Sequence, residues 1–305
     1  MNREKRTYSG KLLDVDFYPV FSDGRRMPSR KPKTKPSTAE QEKYNRNKAV
    51  REFCRIVNAN FDEKDYFMHP TFTPISAPQS REEAKKILAN YRARVQRRRK
   101  KELKKAMLAL SVLPERKELK EQRKELIEKI NVLSRPFKYA YTIEEVTYKT
   151  GILKGRTNYH YHLFITGGLD DRLMERMWDK GVRVNVNNYQ PERFGPETAA
   201  KYMLKSTPEA GKKKYICSRN MTPPRVPDPS RRDGRTSNRQ LEKWAKERVN
   251  DAEFWERKYK GYRFERCFAR KNPYNGHWYI SVIMYRATAE MPPWTLDDWG
   301  VYEQQ

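Results

Sequence analysis

The sequence is poor in acid. Across 305 residues, 39 Asp and Glu stand against 66 Lys and Arg, a formal net charge of +27. An imbalance of that size exceeds what solubility requires and points to a polyanionic partner. Cysteine is scarce as well: Cys54, Cys217 and Cys267 lie far apart, form no CxxC pair and build no disulfide framework, which fits a reducing interior. No run approaches the roughly 18 apolar residues of a membrane span. The opening MNREKRTYSGKLLDV has no apolar stretch of the kind a secretory leader carries. Together these absences predict a cytoplasmic protein without membrane association. The Walker A pattern, GxxxxGK followed by Ser or Thr, is missing too, so a helicase motor of that class must come from another chain. There is no internal repeat.

What remains is enough for a buried core: 36% of residues are hydrophobic, and the length suits one domain of catalytic size with extensions. Aromatic residues are plentiful (19 Tyr, 12 Phe and 6 Trp), and a basic surface with stacking rings suits single-stranded nucleic acid. Residues 1–36, with SDGRRMPSRKPKTKPS, read as a flexible basic arm. A helix follows, capped by Ser37 or Thr38, with Ala49, Phe53, Ile56 and Val57 at helical spacing. Residues 62–76 alternate like a strand. The next helix has Ser80 as N-cap and an apolar stripe of Ile87, Leu88, Tyr91 and Val95. It is broken at Pro114, and a second charged helix over about 118–133 returns the chain. The run RARVQRRRKKELKK is either a solvated helix face or a phosphate-tracking surface. Strands are predicted at 138–147 and 158–166, a short helix at 170–181, and a helix with Pro196 early and Pro208 as its stop. Residues 226–305 form a C-terminal extension containing an amphipathic helix. In it, YRFERCFAR and HWYISVIMYR pair as a hairpin across the turn Asn272–Gly276.

Only four histidines exist, and two stand two apart in a predicted strand. A strand has period two, so His160 and His162 project from one face, and two imidazoles so placed can chelate one divalent ion. A hard catalytic cation asks for a carboxylate as well. The preceding strand offers Glu144 and Glu145. Tyr139, Tyr141, Ile143 and Glu145 share its large apolar face; Ala140, Thr142 and Glu144 share the small, polar, open one. That alternation favours Glu144 over Glu145 without excluding the latter. His69 is a weaker ligand candidate. On the helix at 196–206, Ala199, Ala200, Met203 and Leu204 cluster on one side while Tyr202 and Lys205 lie opposite, one turn apart. Tyr8 and Lys11 match the same YxxK spacing, but fall in the expected arm, a poor place to hold a nucleophile. A tyrosine hydroxyl is a modest nucleophile at neutral pH and needs a strongly polarised phosphate. Mg²⁺ or Mn²⁺ held by His160, His162 and Glu144 would polarise it, and Lys205 would offset developing charge. The chemistry these parts suit is phosphodiester transfer, leaving a 5′-phosphotyrosine and a free 3′-OH. Arg94, Arg97, Arg98 and Arg99 on the long helix, with Lys201, Lys212, Lys213 and Arg219 near the tyrosine, are the candidate phosphate contacts.

His160-Tyr161-His162 followed by Tyr202-Met203-Leu204-Lys205 resembles the HUH endonuclease superfamily, in the order and spacing of its single-tyrosine rolling-circle replication initiators from phages, plasmids and integrative elements. DYFMHPTFTP resembles their first motif and YAYTIEE their acidic strand. The first motif departs from the family pattern at His69-Pro70, and residues 100–135 look like an insertion before the acidic strand. The resemblance covers about residues 60–225, within a nuclease domain set at 37–225. It implies an α+β fold with a central antiparallel sheet of ferredoxin or RRM type flanked by helices. It also implies nicking and rejoining of a single-stranded or hairpin origin DNA in a bacterial cytoplasm, assisted by a separate helicase. A relaxase or single-tyrosine transposase would use the same chemistry, though relaxases usually carry three histidines and an N-terminal tyrosine. A non-catalytic single-strand binder would instead expose aromatic residues on the sheet face.

Overall fold

The computed structural model of the chain describes residues 1–21, 39–73, 75–150, 154–181, 184–189, 200, 203–204, 215–273 and 275–287. In chain order the elements are β1 (Asn2–Ser9), β2 (Leu12–Pro19), α1 (Ala39–Asn60), β3 (Tyr66–Pro70), α2 (Arg81–Val112), α3 (Lys120–Ser134), β4 (Tyr139–Thr147), β5 (Thr157–Ile165), α4 (Asp171–Arg176), β6 (Val184–Asn188), β7 (Ile216–Cys217), α5 (Asn238–Glu247), α6 (Ala252–Lys258), β8 (Tyr262–Lys271) and β9 (Trp278–Arg286). The fold is α+β, with two antiparallel sheets. The chain divides into two units, residues 32–223 and residues 1–31 joined by 224–305. No helix among the described residues is long and apolar enough to cross a membrane.

The N-terminal segment is not an arm over residues 2–19. It folds as the hairpin β1–β2 around Gly10, whose φ of 58° suits glycine, and β2 then pairs with β9 in a sheet of order β1-β2-β9-β8. The Pro- and Lys-rich run drew the expected arm back too far. LLDVDFYP alternates, and Leu13, Val15 and Phe17 are its buried set. They pack with Ile280, Val282 and Met284 of β9 against Leu241 and Trp244 of α5 and Trp255 of α6. Ser237 caps α5 by accepting from Gln240 N. Tyr8 lies in β1, exchanging backbone hydrogen bonds with Arg225 at 2.9 Å each way, and the Arg225 guanidinium stacks 4.6 Å from its ring centroid.

In the other unit the strands run in the order β6-β3-β5-β4-β7, every neighbour antiparallel. The first strand is shorter than the alternation over 62–76 predicts. Asp65, with its side chain fully buried, turns the chain into it. Its carboxylate accepts from the backbone N–H groups of Asp62 (2.9 Å) and Gly167 (3.0 Å) and from Arg135 Nη2 (2.8 Å). One face of the sheet carries Met68, Tyr141, Ile143, Tyr159, Tyr161, Leu163 and Ile165, and meets Leu88, Tyr91 and Val95 of α2 and Met174 of α4. Ser80 caps α2 through the Glu83 N–H at 3.2 Å, a bond worth about 1 kcal/mol. The opposite face carries Ala140, Phe67 and Phe164. It is covered by Val50, Phe53, Cys54 and Val57, one stripe of α1, together with Ala200, Met203 and Leu204. The face expected to be open is therefore sealed along half of β4 and β5.

Two stability predictions follow from these packings. A Cβ at Gly167 would collide with the carbonyl oxygen of Lys64, where only backbone movement gives relief. Gly167→Ala is expected to destabilise by about 3 kcal/mol, seen as a lowered urea midpoint. In the other unit, burial pushes the Glu265 carboxyl up to about 7; a bond from Tyr285 opposes the rise and Asp14 adds to it. Arg266 Nε stands 3.8 Å from its oxygen, beyond hydrogen-bond range. An acid raised in the fold contributes full stability below its unfolded pKa, and loses it as pH rises through about 7. Glu265→Gln is thus expected to raise Tm by several degrees at pH 8 and by much less at pH 5, measured by calorimetry.

Candidate functional site

The site grows from the register of β5 with both of its neighbours. β4 sets Glu144 opposite His160 and Thr142 opposite His162. β3 pairs Met68 with Leu163, and a further bridge joins Thr71 to His160. The same diagonal runs His69 alongside His162. Strand parity places Phe67 and His69 of β3, Ala140, Thr142 and Glu144 of β4, and His160, His162 and Phe164 of β5 on one face. This is the face on which Ala200, Met203 and Leu204 pack. The chain is helical at Ala200 and Met203, and Leu204 N–H donates to Ala200 O at 2.9 Å. Tyr202 and Lys205, together with Lys201, Lys212 and Lys213, lie outside the described residues.

His162 is buried at 3% exposure, while His160 and Glu144 are half-buried where the cover of α1 ends. His162 Nε2 and Glu144 Oε2 share a hydrogen bond of 3.0 Å. Glu145 projects from the other face and pairs with Arg81 at 2.6 Å, so of the two acids Glu144 shares the histidine face. The His69 ring meets that of His162 edge-on, with centroids 5.1 Å apart, and also packs on Phe67 at 4.5 Å. Burial pushes the His69 imidazole down to about 4, with His162 adding to the fall. Burial also lowers His162, against the pull of Glu144, and His160 lowers it further. Both rings are therefore neutral near pH 7 and keep a nitrogen lone pair, as a metal ligand must. Imidazoles beside one carboxylate form a donor set suited to Mn²⁺ or a similar divalent ion. Among the described residues no three His, Cys, Asp or Glu side chains already surround one point at ligand distance. Glu144 closes on His162 instead. His69 shares the histidine face as well. The signal for it was parity: Tyr66 and Met68 are the core set of β3, which leaves Phe67 and His69 for the opposite face.

The arginines of α2 part company. Arg99 is buried at 3%, and its Nη2 donates to the carbonyls of Val132 (3.0 Å), Leu133 (3.4 Å) and Arg135 (3.4 Å). It caps the end of α3 and is not a surface phosphate contact, which corrects the sequence expectation. Burial pushes its guanidinium down to about 10, still cationic at neutral pH. Arg94 is held by Met177 O (2.9 Å) and Asp179 (3.0 Å), and Arg98 by Glu102 (3.1 Å). Arg97 is exposed, and with Lys100, Lys101, Lys104, Lys105 and Leu108 it lines a shallow groove of about 530 Å³. Arg219 is exposed in the turn after β7. Compared with protein-family models, curated proteins and solved structures, the chain matches none.

The two kinds of cation separate experimentally. Arg99→Ala is expected to cost about 3 kcal/mol of stability and leave elution from heparin unchanged. Arg97→Ala combined with Lys101→Ala and Lys104→Ala should shift elution to lower salt while Tm stays within a degree or two.

Proposed function

We propose that this chain is a metal-dependent DNA-nicking and -joining enzyme of the rolling-circle initiator kind, with Tyr202 as nucleophile. The observation that carries the reading is the shared sheet face. His160, His162 and Glu144 gather where the cover of that face ends, and Ala200, Met203 and Leu204, the inward side of the YxxK segment, pack against the same face.

In the proposed reaction the Tyr202 oxygen attacks the scissile phosphorus and the P–O3′ bond breaks. The phenolic proton leaves to solvent or a nearby base, and the departing 3′ oxygen is protonated. Phosphodiester bond energy stays in the phosphotyrosine, so attack by a 3′-OH reverses the step and joins strands. Lys205 offsets negative charge on the phosphoryl oxygens. His160, His162 and Glu144 would hold Mg²⁺ or Mn²⁺, which when bound supplies Lewis acidity and orientation. Arg97 and the lysines following it on α2 supply sequence-independent affinity. The substrate is single-stranded or hairpin origin DNA in a bacterial cytoplasm, opened by a separate helicase. A second reading, a three-histidine strand transferase of relaxase or transposase type, is favoured by the contact of His69 with His162.

Tyr202→Phe is expected to abolish covalent attachment to a single-stranded oligonucleotide while binding persists; an undiminished adduct removes Tyr202 from its role. His160→Ala with His162→Ala should abolish Mn²⁺ binding as read by electron paramagnetic resonance, with the fold intact. His69→Ala divides the two readings: a tenfold or greater loss of Mn²⁺ affinity favours three histidines, and no loss favours two.

A further inference from the structure

The long helix α2 carries a face that the fold leaves uncovered. Its buried stripe runs through Leu88, Tyr91, Val95, Arg99 and Ala106, and α3 meets it on the Arg99 side. By helical periodicity Arg97, Lys101, Lys104 and Leu108 fall on the opposite side, with Lys100 on one flank of that ridge and Lys105 on the other. All six are exposed. The ridge is of one sign. From Ala84 to Val112 the sequence holds a single carboxylate, Glu102, and it is already engaged by Arg98 at 3.1 Å and Lys105 at 3.4 Å. Among the described residues no ion pair holds Arg97, Lys100, Lys101 or Lys104. Between Arg92 and Val112 there is no Tyr, Phe or Trp. At about 1.5 Å per residue the ridge from Arg97 to Leu108 is about 16 Å long.

A row of unpaired cations without rings selects its ligand by charge density and shape. A single strand is held by stacking as well as by charge, and this face offers no ring to stack on. Duplex DNA presents one negative charge per about 1.7 Å of axis. Its major groove, about 12 Å wide, admits a helix that measures about 10–12 Å across with its side chains. Lys100 and Lys101, on opposite flanks of the ridge, then face the phosphates of the two groove walls. Duplex RNA has a major groove too deep and narrow for such entry. An anionic membrane asks for an apolar stripe to insert, and the apolar stripe of α2 is buried within the protein. We propose that the outward ridge of α2 binds duplex DNA in its major groove, independently of sequence, through Arg97, Lys100, Lys101 and Lys104. The inference rests on the part of the proposed function that gives α2 to DNA phosphates and names the form of DNA held there; it uses neither the histidines nor Tyr202.

The test uses the intact chain, in chelator so that no cleavage intervenes and the result stands whether or not Tyr202 forms an adduct. Fluorescence anisotropy follows binding to a labelled mixed-sequence DNA duplex of about 20 base pairs, to the matching RNA duplex and to oligo-dT, over a range of salt. Arg97→Ala combined with Lys101→Ala and Lys104→Ala should weaken DNA duplex binding at least about tenfold and lower its salt slope by about three, near 0.9 for each lost phosphate contact. Oligo-dT affinity should fall by no more than about threefold, and the RNA duplex should bind more weakly than the DNA duplex from the start. Lys101→Arg with Lys104→Arg should bind as the wild type does. Methyl green, a major-groove ligand, should compete with the protein, and netropsin, a minor-groove ligand, should not. Circular dichroism and Tm verify the fold, which truncation of exposed side chains leaves intact. The idea is overturned if the triple variant binds the DNA duplex within twofold of the wild type. It is equally overturned if oligo-dT or RNA duplex affinity falls by the same factor, since that marks an unselective polyanion surface, or if netropsin competes and methyl green does not.

Discussion

The constraint on which the histidine cluster depends is the two-residue period of β5, hydrogen-bonded on both sides at once. An edge strand can slip by one residue at small cost. A strand paired with β3 and β4 together cannot, because a slip would carry Tyr161 and Leu163 out of the α2 core and drive His162 into it. The apolar half of β5 therefore holds the polar half in place. Neither histidine supplies that positioning energy. It comes from about 25 cal/mol for each Å² of apolar surface that the intervening residues remove from water.

A second anchor holds the strand ends. The Asp65 carboxylate accepts from Asp62, Gly167 and Arg135, which lie just before β3, just after β5 and just after α3, and the Asp65 carbonyl accepts from Tyr189 just beyond β6. Four chain segments thus meet at one buried residue. With N–H donors and a guanidinium around it, a buried carboxylate serves as a hub. Without them it would be among the most costly groups to bury. Arg99, which caps α3 from α2 close to Arg135, extends the same logic to the helical hairpin.

Much of this was legible in the sequence, and the failures have physical causes. Period two identified the shared face of Glu144, His160 and His162, and the Ser80 cap marked the start of α2, because both signals are local. The basic run on α2 misled because charge hid periodicity. Leu88, Tyr91 and Val95 continue by one turn to Arg99, so the buried stripe passes through an arginine whose partners are carbonyls more than thirty residues ahead. Of the terminal sheet, the β8–β9 hairpin was legible, and the β1–β2 half was missed for the converse reason. The alternation of Leu13, Val15 and Phe17 was there to see, but its partner strand is at the other end of the chain, beyond any local pattern.

That last pairing has a consequence for biosynthesis. Val15 leaves the ribosome long before Val282, its ladder partner. At 5–20 residues per second the delay is on the order of 10–50 s. For that interval β1 and β2 are a two-stranded hairpin, a form marginally stable in water, with an apolar face and an open edge. The segment made in between can complete its own sheet first. Until the last strands emerge, the apolar face and open edge of that hairpin have no β9 to pair with.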